Sequence, residues 1–156
     1  RRAGLVLDLT IRENVTLPAL GRYAHFVLVK REAEQKAAAE TCAKLNVKAP
    51  SIEPKVANLS GGNQQKTVLA KWLSLNPKLL IFGERTRGID VGAKAEIYQL
   101  MPGLVESGVA VMMISSDMEE ILGNSDRVAV MHEGRITGVL ARQECTQESI
   151  MRLAIA

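Results

Sequence analysis

Three strand-sized apolar runs separated by helical segments constrain the fold of this chain more than any other feature. The runs are KLLIF at 78–82, VAVMMIS at 109–115 and RVAVM at 127–131, and each has the length and apolar content of a buried strand. Between the first two runs, apolar residues at helical spacing predict a helix over 90–108. Strands that alternate with helices are typical of parallel sheets built from right-handed βαβ units, so the sequence predicts an α/β fold.

Helix and turn signals define the remaining elements. Residues 30–47 are rich in Ala, Glu and Lys, which predicts a helix with a mostly solvated face. A second helix is expected from Gly62 to the Asn76-Pro77 stop, with one apolar stripe formed by Val68, Leu69, Trp72 and Leu73. The HEGR sequence at 132–135 predicts a hairpin turn, and 146–156 predicts a closing helix.

Composition narrows the class of protein. The 156 residues are 47% hydrophobic and 24% charged, and the net charge is only +3 without a dense basic block, so nucleic acid is not an expected partner. Cys42 and Cys145 lie far apart and are interpreted as reduced thiols, with a disulfide as the alternative. His25 and His132 lack metal-ligand spacing, and no metal site is predicted from them.

The sequence LSGGNQQK at 59–66 has the chemistry of an anion-binding helix start. Gly61 and Gly62 let a phosphate approach the backbone closely, and Ser60 adds a hydroxyl donor next to the partial positive charge of the helix N-terminus. The alternative is an ordinary helix start with Ser60 as its N-cap, because serine is common at that position.

In the order and spacing of its motifs the chain resembles the nucleotide-binding subunits of ABC transporters, and in particular the C-terminal half of the tandem ATPase subunits of ribose-, galactose- and xylose-type sugar importers. The resemblance rests on LSGGNQQK, TRGIDVGAK, EIYQL, the Ser115-Ser116 pair, SDRVAVM and the Glu133-Gly134 turn. It implies a partial ABC nucleotide-binding domain of the P-loop NTPase class that lacks the phosphate loop. We expect a helical subdomain with the signature over 1–76 and an α/β subdomain over 77–156.

The resemblance also implies roles for individual residues. In this family the signature serine and glycines contact the γ-phosphate of ATP held on a partner's phosphate loop, a role that Ser60, Gly61 and Gly62 would carry here, with Gln64 as a weaker candidate. ATP and Mg²⁺ are therefore expected only in the assembled complex. Ser116 occupies the place where many family members have a γ-phosphate-contacting histidine, and a serine cannot change its charge near neutral pH.

The segment after the first strand departs from the family pattern. Gly83 stands where an aspartate would organise Mg²⁺, and Arg85 replaces the usual proline, whereas Glu84 remains as the candidate catalytic base. A surface ion pair between Glu84 and Arg85 is an equally weighted alternative. Asp90 matches the aspartate of the loop that connects the two nucleotide sites, and it also suits the N-cap of the following helix.

These observations predict part of the ATP-binding, energy-coupling subunit of an ABC carbohydrate importer, peripheral at the cytoplasmic face of the inner membrane. Its expected partners are an ATPase half or second nucleotide-binding domain and a membrane permease. The chain begins without Met and without a phosphate loop, so we expect a fragment of a longer subunit that is inactive alone, with an exposed sheet surface. The alternative is a non-catalytic module or degenerate remnant that docks on a partner ATPase.

Overall fold

The computed structural model describes residues 4–26, 28–83 and 91–155, with only the backbone described for 91–94. Contacts within the chain define two compact units. Of the described residues, those up to Leu80 and 91–110 form one unit, and 81–83 and 111–155 form the other. We call the unit with the first five helices the signature unit, and the other unit, which contains 81–83 and the chain after Ala110, the hairpin unit. The helix after the first predicted strand groups with the signature helix. The subdomain segments 1–76 and 77–156 stay a prediction.

Seven α-helices and six strands form in the described part of the chain. The helices are α1 (Ile11–Thr16), α2 (Leu20–Tyr23), α3 (Arg31–Lys44), α4 (Gly61–Leu73), α5 (Val91–Glu106), α6 (Met118–Asn124) and α7 (Gln147–Ala154). The strands are β1 (Ala24–His25), β2 (Leu28–Val29), β3 (Leu79–Phe82), β4 (Ala110–Met113), β5 (Arg127–His132) and β6 (Arg135–Ala141). No helix among these residues is long and apolar enough to cross a membrane.

The signature unit packs α1, α3 and α4 against one another around an aliphatic core. Its buried apolar residues include Ile11, Val15, Ala38, Leu45, Val56, Leu69 and Ala70. Buried polar residues stand beside them, and the side chain of Asn14 binds the backbone of Val6, Leu9 and Thr10, which holds the segment before α1 in place. The predicted apolar stripe of α4 needs correction at one position, because Trp72 is half exposed.

The strand pairs β3–β4 and β5–β6 differ in orientation. The amide of Ala110 donates to the carbonyl of Lys78, and the amide of Ile114 donates to the carbonyl of Phe82, so β3 and β4 run parallel as the sequence predicts. The sequence placed the RVAVM strand in the parallel sheet, and the structure corrects this placement. Among the described residues β5 pairs only with β6, and this pair is antiparallel.

A two-residue turn explains the antiparallel pair. Glu133 and Gly134 both have positive φ, 44° and 78°, between the paired residues His132 and Arg135. Two consecutive positive φ values are the property of a type I′ turn, whose twist matches the flanking strands. The predicted HEGR hairpin is therefore confirmed.

Helix α7 covers one face of this hairpin. Val128, Val130 and Ile150 are its buried core. An added Cβ atom at Gly138 would lie 2.6 Å from Leu153 Cδ1, so the absence of a side chain at Gly138 lets α7 pack closely on β6.

A small antiparallel hairpin, β1–β2, is absent from the sequence prediction. Ala24 pairs with Val29 and His25 with Leu28. Phe26 at its tip has φ 55° and is 93% exposed. Two-residue strands leave too short a pattern for alternation to be recognised in a sequence.

Candidate functional site

The LSGGNQQK segment forms the N-terminus of α4 as the sequence predicts. Ser60 is the N-cap with extended backbone angles, and the first intrahelical bond runs from the amide of Gln64 to the carbonyl of Ser60. The amides of Gly61 and Gly62 precede that bond, so they have no intrahelical acceptor. Ser60 and Gly61 are exposed and Gly62 is half-buried. The helix tip is therefore accessible to a ligand from outside.

Asn63 determines how the Ser60 hydroxyl can bond, and sequence reasoning missed this residue. Asn63 Nδ2 donates to Ser60 Oγ at 3.0 Å, and the Asn63 backbone amide lies 3.5 Å from the same oxygen. The amide of Lys48 donates to Asn63 Oδ1 at 2.8 Å, which fixes the orientation of the side-chain amide. Because Ser60 Oγ accepts from Asn63, its own proton is left to donate to another group, and an anionic oxygen is the best acceptor.

Gln64 has a different position from the other predicted site residues. It is buried, and its Nε2 donates to the carbonyls of Val56 at 3.0 Å and Leu59 at 3.1 Å. In this arrangement the side chain supports the loop that leads into Ser60. Its predicted contact with the γ-phosphate stays a prediction.

Lys66 lies one turn beyond the helix start and is 5% exposed. Its Nζ lies 2.7 Å from Glu96 Oε2 on α5 and donates to the carbonyl of Asn46 at 3.2 Å. The hydrogen bond from Lys66, followed by its positive charge, lowers the pKa of Glu96. The signature helix is thus joined to α5 by a charged contact.

The two serines after β4 have different environments. Ser115 Oγ donates to Glu120 Oε2 at 2.7 Å and accepts from the amide of Asp117 at 3.0 Å, so it helps to begin α6. Ser116, the predicted position of the family's histidine, is exposed. Ser116 is therefore the more accessible of the two serines, and Ser115 is half-buried.

The remaining predicted residues concern metal and base chemistry. Glu84, Arg85 and Asp90 lie outside the described residues, so their roles stay predictions. Gly83 is exposed, and a Cβ atom there would have no neighbour within 4 Å among the described residues. Within the described ranges, no group of three or more His, Cys, Asp or Glu side chains could hold a metal ion.

Comparison with known proteins gives the context for this helix tip. The family model for ABC transporters matches residues 2–87, which include the whole 59–66 segment. The chain is 55% identical over 151 residues to the ribose import ATP-binding protein of Lactococcus lactis subsp. lactis, covering 97% of this chain and 31% of that protein. It is 54% identical over 154 residues to the xylose import ATP-binding protein of Moorella thermoacetica, covering 99% of this chain and 30% of that protein.

Solved structures agree on the fold. An ATP-binding cassette in a dimeric post-hydrolysis state, bound to ADP and Pi, superposes with a TM-score of 0.70 at 26% identity, covering 88% of this chain and 59% of that one. A second cassette, in its ADP conformation, gives a TM-score of 0.74 at 20% identity over 96% of this chain and 63% of that one, a likeness of fold alone. This chain, about 30% of the length of its curated relatives, belongs to the ABC transporter family.

Proposed function

We propose that this chain is part of the ATP-binding subunit of an ABC carbohydrate importer, in which it supplies the signature segment to an ATP site on a partner. The proposal rests on one observation above all. Ser60 Oγ accepts from Asn63 at 3.0 Å on an exposed helix tip, so the serine offers its proton outward, as a triphosphate requires.

The residues of the helix tip fit a phosphate well. The serine hydroxyl, the glycine amides and the helix dipole all favour a negative charge at one place, and the first turn of α4 contains no acidic residue that would repel it. The described residues fit Mg²⁺ poorly, because Gly83 has no oxygen side chain to offer it. ATP and Mg²⁺ are therefore assigned to the partner's phosphate loop, and the proposed contribution of this chain is to contact and orient the γ-phosphate of the nucleotide bound there.

The relatives support carbohydrate import as the transported class, because their names record ribose and xylose import. We assign a membrane permease and a second nucleotide-binding half as partners, with the chain peripheral at the cytoplasmic face of the inner membrane. The alternative is a non-catalytic module that docks on a partner ATPase. Gly83 favours this alternative, because the expected carboxylate is missing although no described atom would obstruct a Cβ atom there.

A chimera tests the two functions. This chain replaces the matching 31% of the Lactococcus lactis ribose import ATP-binding protein, and steady-state ATP turnover is measured. We expect Ser60→Arg to lower kcat at least about a hundredfold, because it removes the hydroxyl and blocks the helix tip. The control is Ser107→Arg, an exposed serine after α5, which should leave turnover unchanged.

The outcomes separate the functions. A chimera that hydrolyses ATP and loses turnover with Ser60→Arg supports the signature role. Turnover that is insensitive to Ser60→Arg contradicts the signature role and favours the docking module. A folded chimera without any ATP turnover also contradicts the signature role.

A further inference from the structure

Lys66 is a buried cation with a specific pair of partners. Transfer of an ammonium group from water into a protein is unfavourable unless an opposite charge and hydrogen bonds compensate for the lost hydration. Here the compensation comes from Glu96 at 2.7 Å and from the carbonyl of Asn46 at 3.2 Å. A methionine at this position would fill a similar volume, but it would satisfy neither partner.

The hydrogen bond between Lys66 and Asn46 is connected to Ser60 through the turn that follows α3. Asn46 has φ 51° in the turn that ends α3, and two residues later the amide of Lys48 binds Asn63 Oδ1. Asn63 in turn donates to Ser60 Oγ. Polar contacts therefore continue from the carboxylate on α5, through Lys66 and the turn at 46–48, to the hydroxyl at the tip of α4.

We propose that Lys66 is a positioning residue that couples α5 to the orientation of the Ser60 hydroxyl. The inference rests on the proposed function, because it assigns Lys66 a role in presenting Ser60 to the partner's nucleotide. Lys66 is too buried to touch that nucleotide itself. Its effect passes through the turn at 46–48, which orients Asn63, and through the axis of α4, which Glu96 anchors.

The consequence is a specific kinetic signature. Nucleotide affinity is assigned to the partner's phosphate loop, whereas the signature serine acts on the bound nucleotide. Displacement of Ser60 should therefore lower kcat and leave the KM for ATP unchanged within about twofold. A general loss of stability would instead reduce the concentration of active protein and the unfolding temperature.

The test uses three variants in the chimera. Lys66→Met removes the charge at similar volume, and we expect about a tenfold loss of kcat. Glu96→Gln removes the negative charge that pairs with Lys66. Because Glu96 is half exposed, the fold should tolerate the change, and we expect about a threefold loss of kcat. The double variant should be no slower than Lys66→Met alone, because both changes remove the same contact.

Lys71→Met is the matched control. Lys71 lies on the same helix, and its Nζ donates to the carbonyl of Gly4 at 2.7 Å, but this contact does not lead to Ser60. We expect an unchanged kcat for this variant. A loss equal to that of Lys66→Met, or additive losses in the double variant, would overturn the inference.

A second measurement is independent of turnover and of the folding of Lys66→Met. In the ¹⁵N-labelled chain, Glu96→Gln should shift the side-chain NH₂ resonances of Asn63, whereas Glu148→Gln, in the exposed pair with Arg152, should not. Unshifted Asn63 resonances would contradict the coupling even if Ser60→Arg abolishes turnover, so this inference can fail while the proposed function stands.

Discussion

The signature unit and the hairpin unit differ in the kinds of side chain that they bury. The signature unit buries the polar side chains of Asn14, Glu34 and Gln64 and binds each of them within the unit. The hairpin unit buries Val128, Val130 and Ile150 on one face of its strand pair and leaves apolar side chains exposed on the other.

The difference indicates where each unit obtains its stability. A buried polar network is stable only if nearly all of its members are bonded, so it specifies one arrangement of α1, α3 and α4. A strand pair with one uncovered apolar face loses part of the hydrophobic stabilisation that a second packed layer would provide. We therefore expect the signature unit to be the more stable of the two.

The largest expected effect concerns the buried carboxylate of the signature unit. Glu34 is 3% exposed, and its two oxygens bind Thr16 Oγ1 at 2.7 Å and Arg12 at 2.6 Å. Hydrogen bonding to Glu53 and the charge of Glu34 raise the pKa of Arg12, against the effect of burial, so the guanidinium stays charged. Arg12→Met would leave the carboxylate buried without its cation, at a cost of about 3 kcal/mol.

Fluorescence of Trp72, the single tryptophan, reports denaturant unfolding of the signature unit. Arg152→Met is the control, because Arg152 pairs with Glu148 on the surface of α7. That variant should change the free energy of unfolding by less than about 0.5 kcal/mol. Equal costs for the two variants would remove the distinction between the units.

The next effect concerns packing inside the hairpin unit. Gly138→Ala places a methyl group 2.6 Å from Leu153 Cδ1, so either the leucine changes rotamer or α7 moves away from β6. We expect a loss of about 1 to 3 kcal/mol, as for other overpacked sites. Loss of the far-ultraviolet circular dichroism signal on heating gives the measurement.

Gly123→Ala is the control for this prediction. Gly123 lies in α6, and an added Cβ atom there would meet no atom of the described residues within 4 Å. This change should stabilise the helix by up to about 1 kcal/mol. A Gly138→Ala chain as stable as the original would mean that α7 does not pack on β6 at this distance.

Long periodic segments were predictable from the sequence, and single side-chain partners were not. The helices at α3, α4, α5 and α7 and the strands β3 to β6 follow from apolar spacing and from turn residues, since those signals are local. The HEGR turn predicted the hairpin of β5 with β6 correctly, whereas the placement of β5 in the parallel sheet was wrong among the described residues, because an apolar run does not show which neighbour it will bind. The type I′ turn at Glu133-Gly134 decided that pairing in favour of β6.

In the candidate site, too, the local structure could be predicted from the sequence and the partners of single side chains could not. The SGG sequence predicted an exposed helix tip, which the structure confirms. The roles of Asn63 and Lys66 depend on Lys48, Asn46 and Glu96, which only the folded chain brings to them. An amide and a lysine at the start of a helix are unremarkable in a sequence, so no local signal could have assigned them.

The smallest expected effect on unfolding is on the uncovered face of the hairpin. Met131 and Ile136 are directly paired across β5 and β6, and both are 64% exposed. Replacement of both by threonine keeps a residue type that favours strands and removes apolar surface that is already in water. The free energy of unfolding should therefore change by less than about 0.5 kcal/mol, whereas self-association of the chain in sedimentation velocity should decrease.

The matched control for that double variant is Val128→Thr on the covered face of the same hairpin. Val128 is buried in the cluster beneath α7, so a hydroxyl there would lose apolar packing and should cost about 1 to 3 kcal/mol. If the exposed pair proved as costly as Val128, both faces of the hairpin would be covered within this chain, and the contrast between the two units would disappear. If only Val128→Thr lowers the free energy of unfolding, the side chains of the uncovered face do not stabilise the hairpin unit. Their apolar character then suits contact with another surface.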